Sequence, residues 1–387
     1  MGMFVGWGRK ARVAYGFDEV ALVPGKITVD PDEVDISWSI GKFKFKIPIL
    51  ASAMDGVVDT RFAVAMSKLG GLAVLNLEGI QTRYDEPQEI IDRIVAATPE
   101  EATRIIQGLY TKPIKKELIS KRIKEIKSRG GIAAVSAIPQ RAEEFSRIAY
   151  RAGVDIFVVQ STVITARYIS KTFKALDLKK LVKNMHDVPV IAGNCVTYEV
   201  ALELMETGIE GLLVGVGPGS ACTTRSVLGV GVPQITATSD VAAARDFYFK
   251  EKHRYVSVIT DGGMTSSGDI CKAFASGADA VMIGGALARA KEAPGRGYHW
   301  GMAMPHKDLP RGTRIRVGIT GTLKEILFGP SRLDDATQNL VGALRNCMGV
   351  CGAKNIKEMQ LVEIIIAPGI SSEGKVLQRE QKVGMGK

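Results

Sequence analysis

Residues 211–225 read Gly-Leu-Leu-Val-Gly-Val-Gly-Pro-Gly-Ser-Ala-Cys-Thr-Thr-Arg. The apolar run that opens this stretch predicts a buried strand, and the glycines and proline after it predict a tight loop. Glycine adopts backbone conformations that other residues avoid, so such a loop can close its N–H and C=O groups around a ligand. The loop ends at Cys222, a thiol that attacks electrophilic carbon once ionised. A glycine turn with an incidental cysteine is the plainer reading, and the rest of the chain argues against it by supplying a nucleotide-sized site around the thiol.

The same strand-then-loop unit recurs along the chain. Apolar runs bounded by turns occur at 47–54, 72–76, 132–138, 155–160, 188–193, 211–216, 255–260 and 280–284. Helical patterns lie between them (RFAVAMSKLG, AEEFSRIAYRAG, YEVALELMETG, GDICKAFASGA), and several stop at a glycine: Gly70, Gly153, Gly208, Gly277. Eight buried strands, most followed by a helix, predict an α/β protein, a single-domain (β/α)8 TIM barrel over 1–387 with a parallel core. A doubly wound open sheet is the main competitor. It requires a dinucleotide fingerprint after the first strand, and ASAMDGVVDT is not one.

The spacing breaks once. Residues 77–131 look wholly helical and read as an elaboration of one barrel connection. After the eighth strand the chain turns glycine-, proline- and charge-rich, and PGRGYHWGMAMPHKDLPRGTR predicts an active-site flap at about 295–321. The tail from about 371 reads as mobile.

Composition narrows the partners. Of the 387 residues, 46% are hydrophobic and 24% charged, as in an ordinary enzyme with a large core. No apolar run approaches the roughly 20 residues that span a bilayer. The N-terminal stretch MGMFVGWGRK has no h-region of secretory length. Five scattered cysteines suit a reducing, cytoplasmic setting, and Cys347 with Cys351 lacks the second pair that a zinc site needs. The net charge of +10 is spread out. Its densest cluster, 112–129, reads as the solvated face of an amphipathic helix, so the charge suits steering of small phosphorylated anions better than nucleic acid binding.

In such a barrel the strand ends carry chemistry. Those ends supply Ser52 and Met54, Asn76, Gln160 with Ser161 and Thr162, Asn194, the Cys222 loop, Asp261-Gly262-Gly263, and Gly284-Gly285. Singly, each could cap a helix or make a turn. Together they place a thiol, a carboxylate and glycine-rich anion cradles on one face. A phosphate would lie against backbone N–H groups near Ser220, Gly263 and Gly285, and a ribose diol against Asp261.

GVGPGSACTTR, together with VITDGGM, AVMIGGALA, LRNCMGVCGAKNIKE, FDEVALVP and ASAMDGVVDT, resembles the IMP dehydrogenase/GMP reductase family from about Tyr15 to Ile366. The resemblance implies that Cys222 adds to C2 of a purine nucleoside monophosphate (GMP or IMP) and that Thr224 handles a proton. It implies that the carbonyls of Gly217, Gly219 and Cys222 bind a monovalent cation, usually K+. It implies that Ser52, Met54, Ser220, Asp261, Gly262, Gly263, Gly284, Gly285, Gly301 and Met302 hold the nucleotide. Gln160, Ser161 and Asn194 fall on the cofactor side, NADPH or NAD. Homotetramers, possibly stacked to octamers, are implied too.

The chain lacks the CBS modules that dehydrogenases of the family usually insert. It also has no Arg-Tyr pair between 301 and 321, and Gly284-Gly285 stands where dehydrogenases often place Gly-Ser. These points imply an NADPH-dependent GMP reductase. Against that, Pro305, followed by His306, stands where reductases carry a glutamate, with His306 or Glu325 as substitutes for proton transfer. Gln160 replaces the aspartate usual at the fourth strand end. LRNCMGVCGAKNIKE is closer to the dehydrogenases. NAD-dependent oxidation of IMP to XMP is the alternative, and a non-catalytic purine-nucleotide-binding subunit is a second. A flavin-dependent barrel is a weaker rival.

Overall fold

The computed structural model describes residues 2–171, 174–301 and 313–384. Each of the eight expected apolar runs carries a barrel strand. These are β1 (Ile49–Ala51), β2 (Leu72–Asn76), β3 (Ala134–Ala137), β4 (Ile156–Gln160), β5 (Val190–Cys195), β6 (Gly211–Val214), β7 (Ser257–Asp261) and β8 (Ala280–Ile283). Neighbours in sequence pair in parallel, and β8 returns to β1 through Val281 opposite Ile49, closing the barrel.

Successive residues point to opposite faces of a strand. Leu50, Leu72, Val74, Ile156, Val158, Ile191, Leu213, Ile259 and Met282 therefore fill the barrel interior. Ala51, Leu75, Phe157, Val159, Leu212, Val258 and Val281 pack outwards in a second buried layer. Burial on both faces is why these strands read as unbroken apolar runs. The hairpin formed by Trp38–Ile40 and Phe43–Phe45 contributes Trp38, Ile40 and Phe45 to the interior cluster, and Trp38 Nε1 donates to Ser257 Oγ at 3.2 Å. This plugs the end of the barrel where the strands begin.

Around the barrel run α1 (Thr60–Lys68), α2 (Pro87–Ala96), α3 (Pro99–Tyr110), α4 (Lys116–Ser128), α5 (Pro139–Arg151), α6 (Leu178–Asn184), α7 (Tyr198–Met205), α8 (Thr224–Leu228), α9 (Gln234–Lys252), α10 (Ser267–Ala275) and α11 (Gly285–Ala288). Helices α2, α3 and α4 make up the elaboration after β2. In α4, Leu118, Ile119, Ile123 and Ile126 are buried. One basic residue of that helix is structural: buried Arg122 donates to the carbonyls of Gln81 and Asp85 at 2.9 Å.

Beyond β8, Tyr298–Trp300 pairs antiparallel with Arg314–Arg316, so a hairpin stands at the base of the expected flap. Ile364–Ile366 pairs with Val20–Leu22 and ties the two ends of the chain together. Val376–Gln381 is helical, with none of its residues buried.

Candidate active site

The strands of the barrel, β2 excepted, deliver their C-terminal ends into one cavity of about 780 Å³. At the end of β6, Gly215 has φ +147, and a Cβ there would lie 2.4 Å from the Asp261 carbonyl oxygen. Only glycine lets β6 and β7 approach this closely. Gln234 of α9 fastens the same junction, its Nε2 donating to the carbonyls of Val214 at 2.7 Å and Asp261 at 3.2 Å. The loop then turns through Gly217, at φ +78, and Cys222 N donates to Gly219 O at 2.9 Å. Cys222 is exposed to the cavity, and its Sγ lies 3.2 Å from Oγ1 of the buried Thr224, the first residue of α8. A thiol with a hydroxyl in reach can exchange its proton locally.

Across the cavity, the Asp261 carboxylate accepts from Asn194 Nδ2 at 2.8 Å and Gln160 Nε2 at 3.1 Å. Burial pushes this carboxyl up to about 6, against the two amide donors, which pull it down. Three strand ends, β4, β5 and β7, thus meet at one titratable group.

At a third wall, Ser220 Oγ lies 3.5 Å from His299 Nε2. Gly285 passes close to that imidazole, where a Cβ would sit 3.6 Å from Nε2, and a Cβ on Gly284 would lie 2.8 Å from the sulfur of Met54. His299 is 2% exposed, and its Nδ1 has no hydrogen-bond partner among the described residues. Burial pushes the imidazole down to about 4, so it is neutral at pH 7.

Ser52, Met54, Gln160, Ser161, Asn194, Gly217, Gly219, Ser220, Cys222, Thr224, Asp261, Gly262, Gly263, Gly284, Gly285 and Gly301 all line this cavity, as does Thr162. Met302, Pro305 and His306 lie outside the described residues. Two other residues weighed from the sequence serve local roles. Asn76 Oδ1 accepts the Glu78 N–H at 2.9 Å, making a turn. Glu325 closes a capping box with Thr322, accepting its N–H at 2.8 Å and its hydroxyl at 3.0 Å, and does not line the cavity.

Sequence reasoning missed His299, Arg289 and Gln140, which line the cavity, and Gln234, which braces its floor. For His299 a signal existed, its place two residues before Gly301 in the glycine-rich run. Gln140 follows a helix start and Arg289 follows a helix end, and neither carries such a mark.

Comparison with known proteins points to one family. The model of the IMP dehydrogenase / GMP reductase domain matches residues 14–374. An uncharacterized oxidoreductase of Mycolicibacterium smegmatis is 38% identical over 94% of this chain and 99% of its own length. The inosine-5'-monophosphate dehydrogenase of Cryptosporidium parvum is 32% identical over 89% of each chain, and that of Methanocaldococcus jannaschii is 29% identical over 91% and 92%. The crystal structure of an IMP dehydrogenase/GMP reductase-like protein from Corynebacterium glutamicum superposes with a TM-score of 0.89 at 38% identity, covering 94% of this chain and 97% of that one.

Proposed function

The chain belongs to the IMP dehydrogenase/GMP reductase family of oxidoreductases, and on that premise we propose that it oxidises IMP to XMP through a covalent adduct on Cys222. The observation that carries the reading is the exposed thiol 3.2 Å from Thr224 Oγ1, facing Asp261 and the glycine loops across one cavity. The Cys222 thiolate adds to C2 of the purine, forming the Sγ–C2 bond. Hydride leaves C2, water then replaces sulfur at that carbon, and the thiol is released while a proton passes to solvent. A nicotinamide cofactor supplies the hydride acceptor. Splitting the substitution in two in this way is the general advantage of covalent catalysis.

The residues suit these ligands. Asp261 would take a ribose diol. The Ser220, Gly263 and Gly285 backbone, with the neutral His299 beside it, is placed for a phosphate. Val227 and Leu228 line the cavity near the thiol yet stay 44% and 51% exposed, an apolar shelf of the kind a nicotinamide ring covers. Gln160 and Ser161 stand on the cofactor side. The carbonyls of Gly217, Gly219 and Cys222 would hold K+, with Gly219 O keeping a lone pair beyond its bond to Cys222 N. A homotetramer belongs to the same reading.

The direction rests on proton supply. Reductive deamination of GMP must protonate ammonia as it leaves C2, beside the thiol. Among the described residues, Asp261 is the one carboxylate lining the cavity, and its Oδ2 is occupied by two amides. Glu325 is committed to its cap. The two relatives of named activity reported above are dehydrogenases. The reductive reading, GMP and NADPH to IMP and ammonia, is favoured by Gly284-Gly285 and by the lack of an Arg-Tyr pair in 301–321.

Nicotinamide absorbance decides between them, with the protein mixed with IMP, NAD+ and K+, and separately with GMP, NADPH and K+. XMP formation in the first mixture is the expected result. IMP formation in the second alone would reverse the direction. Nucleotide binding with neither product would leave the non-catalytic subunit.

A further inference from the structure

The helical elaboration after β2 does not merely cover one side of the barrel. It holds the hairpin that stands at the base of the flap. Trp300 belongs to that hairpin, yet its side chain packs into a separate cluster with Ile80, Ile91, Ile94, Ile106, Leu109 and Tyr110, all from the elaboration. Inside this cluster Trp300 Nε1 donates to Tyr110 Oη at 2.9 Å. Tyr110 in turn donates to Asp55 Oδ2, while Asp55 Oδ1 is buried without a side-chain partner. Asp55 directly follows Met54, and Trp300 lies between His299 and Gly301. One tyrosine at the end of α3 therefore joins the two segments that bring Met54, His299 and Gly301 to the cavity.

Other contacts hold the hairpin to the same helices. Arg314, on its second strand, donates to the Val95 carbonyl at 3.1 Å and to that of Ile94, and its guanidinium lies 4.6 Å above the Tyr298 ring. Arg296 pairs with Asp92 at 3.2 Å, and Gln88 Nε2 reaches the Pro294 carbonyl at 3.2 Å. On the far side the hairpin meets the thiol loop, where a Cβ on Gly301 would lie 3.5 Å from the Ala221 carbonyl oxygen.

We infer that the elaboration is a brace, and that Tyr110 is a positioning residue which, between Asp55 and Trp300, sets where His299 and Gly301 stand over the cavity. The inference about nucleotide affinity rests on the purine-nucleotide reading; the inference about hairpin position does not. A buried hydrogen-bonded chain suits this task, because breaking one link leaves buried polar groups unpaired and the hairpin finds a new place.

Tyr110→Phe removes one hydroxyl and keeps the ring. In the full-length protein labelled with 15N-tryptophan, the Trp300 indole signal, assigned by its loss in Trp300→Phe, should move, while those of Trp7 and Trp38 stay. The rate at which iodoacetamide alkylates Cys222 should rise about threefold or more as the hairpin leaves the thiol loop. IMP affinity by calorimetry should fall about tenfold, with inosine affinity changed far less, since the displaced groups lie at the phosphate end. The double variant Tyr110→Phe/Trp300→Phe should be no more reactive at Cys222 than the worse single one, because both cut the same link. An unmoved Trp300 signal overturns the inference. So does a moved signal with Cys222 reactivity unchanged. If the parental protein binds no purine nucleotide, the function reading fails, and the indole signal and the alkylation rate still decide on the brace.

Discussion

The two ends of the barrel handle their polar groups in opposite ways. Where the strands begin, Asp279 is buried at the start of β8 and saturated. It accepts from Arg245 at 2.9 Å, from Lys357 at 2.7 Å, from Tyr255 at 2.7 Å and from the Val258 N–H at 2.9 Å. Burial alone would raise this carboxyl, but Arg245 and Lys357 outweigh it and hold it below the usual carboxylate range. Where the strands end, among the described residues His299 Nδ1 and Gln234 Oε1 are buried without partners, and Asp261 has only amides to satisfy it. A closed network stabilises the fold; an unclosed one leaves groups free to meet a ligand. The contrast teaches where function lies before any chemistry is assigned.

Exchanging damage between the two ends tests the contrast most severely. Cys222→Ala should lower turnover by about a thousandfold or more, because the proposed adduct forms on its sulfur. Its unfolding free energy in urea should change by no more than about 0.5 kcal/mol, as for an exposed side chain. Asp279→Ala should do the reverse. It takes from Arg245 its buried carboxylate partner, leaving the exposed Asp246, and should cost about 3–5 kcal/mol in urea unfolding, with KM for the nucleotide unchanged in the protein that remains folded. A Cys222→Ala variant that keeps turnover, or an Asp279→Ala variant of parental stability, would break the comparison.

Much of this was legible in the chain, for reasons that differ by region. The barrel strands read clearly because burial on both faces leaves an apolar run with no alternation to misjudge. The 215–225 loop read clearly because Gly215 and Gly217 stand where a side chain would collide or strain. Asn76 sat at a strand end like the site residues, but a strand end does not reveal whether an amide faces the cavity or its own turn. Glu325 could have been set aside from sequence, since Thr-x-x-Glu opening a helix is the capping-box pattern. The brace could not have been read at all. Tyr110 and Trp300 are 190 residues apart, and three-residue strands such as Tyr298–Trp300 carry too little periodicity to show which side chain turns inward.

A smaller effect is expected at the junction of β6 and β7. Gly215→Ala places a Cβ against the Gln234 amide and the Asp261 carbonyl oxygen, and that carbonyl cannot retreat without moving a strand end. The strain should cost about 1–3 kcal/mol in unfolding. It should also raise KM for the nucleotide, because Asp261 moves with its backbone. Stability lost with KM unchanged would mean that Asp261 is not part of the nucleotide site, and would separate the glycine's structural role from the one proposed for the carboxylate.

The smallest net effect in the parental protein comes from a pair of opposed pH dependences confined to the open end. His299 is neutral in the fold down to about 4, whereas an imidazole in the unfolded chain protonates near 6.5. Between those values the unfolded state binds more protons, so this group makes stability rise with pH from about 4 to 6.5. Asp261 does the opposite. Its folded carboxyl protonates near 6 against 3.8 unfolded, so the folded state binds more protons between the two. Its contribution is present at low pH and is lost as pH rises through about 6. The windows overlap, and in the free parental protein the two slopes oppose each other. Replacing one group should expose the other. Relative to the parental curve, Asp261→Asn should steepen the gain of stability between pH 4 and 6, and His299→Gln should flatten or invert it, as read from urea midpoints across that range. Variants whose curves stay parallel to the parental one would show that these groups titrate as they do in water, and that the open end is no less satisfied than the closed one.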